Sequence, residues 1–195
     1  MAGYSVFRID DVVSRQGAEF LKRVIADFSC AKNQEVDTFL EKDALEFSLR
    51  KISITHLVFS DETGLFVGYF TLAHKPLTVS ISGLSSTLVK RIRRFSNPDS
   101  GGETYTLSAY LVAQIGKNAA LPPEARIEGD KLMELAKTEI RVSQQRVGGQ
   151  MVFLDMEHGN SVLGSFYRRN GFVPLGQRVS AEDGITYDQL FLFLK

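Results

Sequence analysis

The chain has 195 residues, 44% of them hydrophobic, which is enough to bury the core of one domain. Its 23 basic and 23 acidic residues balance, which argues against a general nucleic-acid coat but leaves room for a local basic patch. With Cys30 as the one cysteine, no internal disulfide can form, as suits a reducing cytoplasm. The start, "MAGYSVFRIDD", lacks the basic-then-apolar layout of a signal peptide, and the apolar stretch "LFVGYFTLA" is too short to span a bilayer. The expectation is a soluble cytoplasmic protein that does not enter a membrane.

In chain order, "YSVFRI" alternates like a first strand. From Asp11 to Phe28, the residues Val12, Val13, Phe20, Leu21, Val24, Ile25 and Phe28 keep a helical rhythm, with Asp10 or Asp11 positioned to cap it. "VDTFLEKDALEFSLRK" reads as a second helix with an untidy apolar stripe. In "THLVFSDETGLFVGYFTLAHK" two apolar runs flank "SDETG", the signature of a hairpin.

An insertion at about 76–103 follows. In it "LSSTLVKRIRRF" suits a short basic helix and "SNPDSGG" a turn-rich loop. Thr104–Ile115 is a long strand whose continuously apolar far end suggests burial on both faces. After the connector "GKNAALPPEA", Leu132, Leu135, Ala136 and Ile140 share one face of a helix that Gly148-Gly149 stop. "QMVFLDM" is a strand, "NSVLGSFYRRNGF" a short helix, and "FVPLGQRV" and "YDQLFLFLK" two final strands. This order predicts a mixed-sheet α/β fold in a single domain over 1–195, with a parallel pair joined by a helical crossover.

Several chemistries have no motif here. There is no P-loop, no dinucleotide fingerprint and no nucleophile elbow. His56, His74 and His158 lack metal spacing, so no metal is expected, and no motif pairs Cys30 with a histidine. What remains is "RIEGDK" at a helix start. Free N–H groups and about half a positive charge make such a start fit for a pyrophosphate. Gly129 allows close backbone approach, and Arg126 and Lys131 add charge. The plainer alternative is a helix start with an unremarkable glycine.

Taken with the next helix, these residues resemble the GNAT superfamily of acyl-CoA N-acyltransferases. The family's phosphate loop, [RQ]-x-x-G-x-[GA], appears as Arg126-Ile127-Glu128-Gly129-Asp130-Lys131, departing at Lys131 and carrying Glu128 and Asp130 beside the glycine. Asn160, seven residues before Tyr167, and Gly171-Phe172 after it match the family's next block. The resemblance implies a mostly antiparallel central sheet with a splayed parallel pair, flanked by helices. It implies acetyl-CoA as co-substrate, held by the loop, by Asn160 and Phe166, and by the strand end Ala113, Gln114, Ile115 and Gly116.

The Ile115 N–H would polarise the thioester carbonyl, and Tyr167 would act as general acid toward the leaving thiolate. The alternative for Tyr167 is core packing with its hydroxyl bonded to backbone. No general base is identified; Asp155, Glu157, His158 and a water relay stay open. Lys90, Arg91, Arg93 and Arg94 lie where the family forms its acceptor side, or else are a solvated helix face. The N-terminal helices and this basic insertion make the chain similar to GNAT-type toxins of toxin–antitoxin pairs, which acetylate aminoacyl-tRNA. Expected partners are therefore acetyl-CoA and an amine acceptor such as tRNA, with an antitoxin and a homodimer also compatible. A small amine, a protein amino group, or a non-catalytic CoA-binding module are the other readings.

Overall fold

The computed structural model describes residues 3–31, 33–181 and 184–194. Among them are seven strands in one sheet, in the order β1-β2-β3-β4-β5-β7-β6. The chain divides into two compact units, Met1–Ala73 with Val112–Ile140, and His74–Leu111 with Arg141–Lys195.

The first unit opens with β1 (Tyr4–Arg8), which pairs antiparallel with β2 (Ile54–Ser60). Between them lie four short helices: α1 (Ile9–Gln16), α2 (Ala18–Ile25), α3 (Gln34–Lys42) and α4 (Ala44–Leu49). The expected first helix is thus two. Gly17, at φ 85°, takes a conformation that only glycine adopts cheaply, and it turns the chain although the apolar rhythm runs on. Neither aspartate caps α1. Arg8 is its N-cap residue, and the Asp10 carboxylate is 2.6 Å from both Arg8 Nη2 and Lys51 Nζ. The expected second helix is also divided: Asn33 caps α3 by accepting from the Glu35 N–H, and the chain restarts at Ala44.

Ile9, Leu21, Val36, Leu40, Leu57 and Tyr69 form the core of this unit. The buried Tyr69 hydroxyl donates to the Val36 carbonyl at 2.6 Å, which ties α3 to β3 (Phe66–Ser80). β3 pairs antiparallel with β2, as the hairpin pattern predicted.

β3 runs further than its sequence suggests. Past the exposed His74, Lys75 and Pro76, Leu77 and Val79 turn inward while Thr78 and Ser80 face solvent, so period-two alternation continues to Ser80. In the second unit α5 (Ser86–Ile92) is capped by Ser85, whose hydroxyl accepts from the Leu88 N–H. β4 (Thr104–Lys117) and β5 (Met151–Glu157) are parallel, with Ala109 opposite Met151 and Leu111 opposite Phe153. The link between them contains α6 (Gly129–Val147), the crossover that a parallel pair requires.

α7 (Ser161–Arg169) leads to β6 (Val173–Val179) and β7 (Thr186–Phe193), and β7 is antiparallel to both β5 and β6. Leu77, Ile92, Tyr105, Leu107, Phe153 and Phe191 fill the core of this unit. No helix among the described residues is long and apolar enough to cross a membrane.

Candidate active site

In the first unit, the stretch from Gly116 to Lys131 is held by specific bonds. The buried Asn118 donates from its side-chain amide to the Phe66 carbonyl and accepts from the Ala120 N–H. The Ala119 N–H donates to the Ser29 carbonyl at 2.7 Å. Arg126 then closes the connector on itself. Its Nε donates to the Leu121 carbonyl and its Nη2 to the Ala119 carbonyl, each at 2.6 Å. The side chain is exposed, so it shapes the loop while keeping part of its fork toward solvent.

Ile127 is 1% exposed and packs inward, leaving only its main chain available to a ligand. Gly129 is the first residue of α6, and the Glu128 carbonyl accepts the Leu132 N–H that opens the helical ladder. The N–H groups ahead of Leu132 have no carbonyl within the helix to bond. Glu128, Asp130 and Lys131 are all exposed, as their position at a helix mouth dictates.

Further back, β4 does not have the two-sided burial its composition suggested. Ala113 is exposed, Gln114 and Ile115 are half-buried, and Gly116 is buried. Gly116 is constrained by size: a Cβ there would lie 2.6 Å from Val36 Cγ1 and 3.2 Å from Phe28 Cζ. Gly68 on β3 is constrained by the main chain, since its Cβ would stand 2.6 Å from the Gly116 carbonyl oxygen. Neither pattern is visible to periodicity, because both arise from residues far apart in sequence.

In the second unit, Asn160 is the N-cap of α7. Its side-chain oxygen accepts from the Leu163 N–H at 3.1 Å, so helix capping accounts for an asparagine at this position. Gly164 packs α7 onto β5, where an added Cβ would meet Met156 Cε at 3.3 Å. Tyr167 is 7% exposed, with Phe166 at 5.1 Å and Phe172 at 5.9 Å between ring centroids. Gly171, at φ 88°, ends the helix, and the Phe172 N–H returns to the Tyr167 carbonyl. The Gly-Phe pair is therefore what fixes Tyr167 at the end of its helix.

The three acids and bases considered for proton removal differ sharply. Asp155 accepts from Arg178 Nε at 2.7 Å and from Gln189 at 3.0 Å. Glu157 is exposed. His158 holds its Nδ1 2.8 Å from Asp188, and Gln177 donates to the same carboxylate. Hydrogen bonds from His158 and then Gln177 keep Asp188 below the usual carboxylate range. Asp188 and Gln177 were not foreseen from the sequence; they are register partners on the adjacent strands that follow α7, a pairing no short window contains.

Two arginines of the basic insertion make specific contacts. The Arg91 guanidinium lies 3.9 Å from the Phe193 ring centroid, and Arg93 Nε donates to the buried Tyr105 hydroxyl at 3.1 Å. Lys90 and Arg94 are exposed. Charge reversal at Arg93 would therefore break a structural bond, so this residue is more than part of a solvated helix face. Among the described residues, no group of three or more His, Cys, Asp and Glu side chains could hold a metal ion.

No protein-family model and no curated protein matches the sequence. Solved structures match the fold. AtaT complexed with acetyl-methionyl-tRNAfMet gives a TM-score of 0.64 over 98% of this chain and 95% of that one, at 17% identity. A point mutant of KacT gives 0.63 over 97% and 94%, at 18% identity. A mutant of the AtaT toxin bound to the C-terminus of the antitoxin AtaR gives 0.61 over 97% and 92%, at 16% identity. At such identities the likeness is one of fold, and it runs nearly the full length of each chain: this chain has the fold shared by AtaT and KacT.

Proposed function

We propose that the chain is an N-acetyltransferase that moves an acetyl group from acetyl-CoA to a primary amine, the acceptor being aminoacyl-tRNA. The observation that carries this reading is the near full-length likeness to AtaT, one structure of which is complexed with acetyl-methionyl-tRNAfMet. A related structure of an AtaT mutant contains acetyl-CoA. The residues fit the co-substrate. Gly129 opens α6 without a side chain, and Arg126 and Lys131 are exposed beside it. A diphosphate there meets N–H groups, the positive helix end and two cations. The exposed Glu128 and Asp130 point to a weaker phosphate site than a loop of small residues would give.

In this reading the main chain of Ala113–Gly116 receives the pantetheine arm, and the Ile115 N–H polarises the thioester carbonyl. The neutral amine attacks that carbon, the carbon–sulfur bond breaks, and sulfur leaves with the electron pair. Tyr167 gives its phenolic proton to the sulfur, and the proton that the attacking nitrogen sheds as the amide forms passes to water and restores the phenol through solvent. Asn160 and Phe166 serve the coenzyme through the helix they cap and line.

Binding is tested first, by thermal shift with acetyl-CoA. Ligand at about a hundred times its dissociation constant adds about 2.7 kcal/mol to stability. Transfer is tested by incubating charged tRNA and labelled acetyl-CoA with the protein. Label on the aminoacyl end supports the reading. A clear shift with no label on tRNA, but label on a small amine or protein, moves the acceptor to that class. No shift at millimolar acetyl-CoA sinks the reading altogether.

A further inference from the structure

We infer that Phe95 and Phe193, flanked by the cations of α5, form a stacking platform for one unpaired base of single-stranded RNA. The proposal specifies the acceptor side of the transferase read above and rests on that reading for its biological role. Phe95 follows "KRIRR" directly and is 44% exposed. Its centroid is 5.9 Å from that of Phe193, with the planes 36° apart. The two rings edge a groove of about 140 Å³, floored by Leu107 and Met151 and rimmed by Ser108 and Gln150. A cavity near 150 Å³ accepts a benzene-sized ring, so this groove suits one planar heterocycle. The hydroxyl and amide at its rim can bond the polar edge of a base, which a purely apolar ring would leave unmet.

Charge selects the ligand class. From Leu84 to Phe95 there are four cations and no acid. Two of the four are immobilised: Arg91 over the Phe193 face at 3.9 Å, and Arg93 on the Tyr105 hydroxyl at 3.1 Å. A cation fixed beside an aromatic face favours a ligand that stacks and carries negative charge together. Nucleotides do both, and base stacking tolerates any sequence. Duplex RNA cannot present an unstacked base face, so the platform discriminates for a single-stranded end. An acidic peptide would meet the cations but leave the exposed Phe95 ring without a planar partner.

The test uses the whole protein and a fluorescein-labelled single-stranded octaribonucleotide, with an abasic octamer and a duplex of the same length as controls. Anisotropy should give tighter binding for the octamer than for either control. Phe95→Ala should weaken the octamer about five- to a hundredfold without changing the salt slope. Phe95→Tyr should restore most of the loss, because the ring face remains. Arg94→Gln should instead lower the salt slope by about 0.7, the mark of one phosphate contact. Unchanged octamer affinity in a folded Phe95→Ala protein overturns the platform, as does equal binding of octamer and abasic strand. The acetyl-CoA thermal shift is run on the same samples. Its absence would remove the transferase reading, while the octamer comparison would still decide the platform.

Discussion

His56 provides a quantitative check on the packing of the first unit. It sits on β2, 8% exposed, with its ring stacked on Phe70 at 5.0 Å. Its buried Nδ1 makes no hydrogen bond among the described residues, and Nε2 is 4.0 Å from Glu139. Burial pushes its pKa down from 6.5 to about 4; a backbone hydrogen bond with Ile54 opposes this, nearby Arg8 adds to it, and Asp10 and Asp11 oppose it. The sign follows from which state binds the proton. The unfolded chain takes it near pH 6.5 and the folded chain only near pH 4. The contribution to stability is therefore complete above 6.5 and is lost as pH falls toward 4. The gap, about 2.5 pH units at about 1.36 kcal/mol each, amounts to about 3.4 kcal/mol. His56→Phe keeps a flat ring for Phe70 and removes the proton site. Urea midpoints for both proteins between pH 7.5 and 4.5 give the difference directly, since the carboxylates are common to both and cancel. Near pH 7.5 the two should agree within about 1.5 kcal/mol, because Nδ1 is unpartnered and the variant loses at most the one backbone hydrogen bond with Ile54. By pH 4.5 the variant should have gained about 2.5 kcal/mol on the parent. A stability difference that stays flat across that range would refute the reasoning.

Asp10→Asn tests the ion pairs at the start of α1. Burial raises the Asp10 pKa, but hydrogen bonds from Arg8 and Lys51 outweigh it and hold it at about 2, against 3.8 ordinarily. That stability is present above pH 3.8 and disappears toward pH 2. Arg8 and Lys51 are 42% and 59% exposed, so screening reduces the expected loss to about 1 kcal/mol at pH 7, and the variant should match the parent at pH 2 in the same urea assay. Tyr167→Phe should lower turnover about 10²- to 10⁴-fold if the phenol is the acid, with acetyl-CoA affinity nearly unchanged; full turnover in a chemistry-limited assay excludes that role. Arg126→Met should free the Ala119 and Leu121 carbonyls, costing about 1–2 kcal/mol and weakening acetyl-CoA as the loop loosens. Calorimetric titration and a melting curve separate those two effects.

Much of the fold was legible because its signals are local. The hairpin turn, the apolar face of α6 and the glycine stop after it depend on residues within a few positions of one another. The misreadings have equally local causes. Gly17 breaks α1 from α2 inside an unbroken apolar rhythm, and periodicity counts side chains rather than backbone angles. Pro76 and its polar neighbours resemble a strand end, yet alternation resumes beyond them. The loop motif and the α7 block were readable as spacings. What those side chains bond was not readable. Asn160 caps its own helix, Arg126 grips its own connector, and Asp155 is committed to Arg178 and Gln189 from other strands. Such partners are set by sheet order and register, which no short window contains.

The basic insertion shows why overall charge is a poor guide to what a surface can bind. A chain with 23 cations and 23 anions has no net field to draw a polyanion from a distance. Contact affinity depends instead on what it costs to organise the cations at the site. A free arginine surrenders about 1.5–2 kcal/mol of rotamer entropy when it is fixed against a ligand. Arg91 and Arg93 have surrendered part of theirs already, to the Phe193 ring and the Tyr105 hydroxyl. The same contacts that remove them from the count of free charges make the remaining charge more effective, because binding need not pay for ordering it again. Because Arg91 and Arg93 direct part of their binding capacity to the ring and the hydroxyl rather than to phosphates, salt should weaken RNA binding less steeply than four phosphate contacts would predict, while loss of the Phe95 ring should be felt at every salt concentration. A slope as steep as four independent phosphate contacts, about −2.8 for a single strand, would mean that Arg91 leaves the Phe193 ring and Arg93 the Tyr105 hydroxyl on binding.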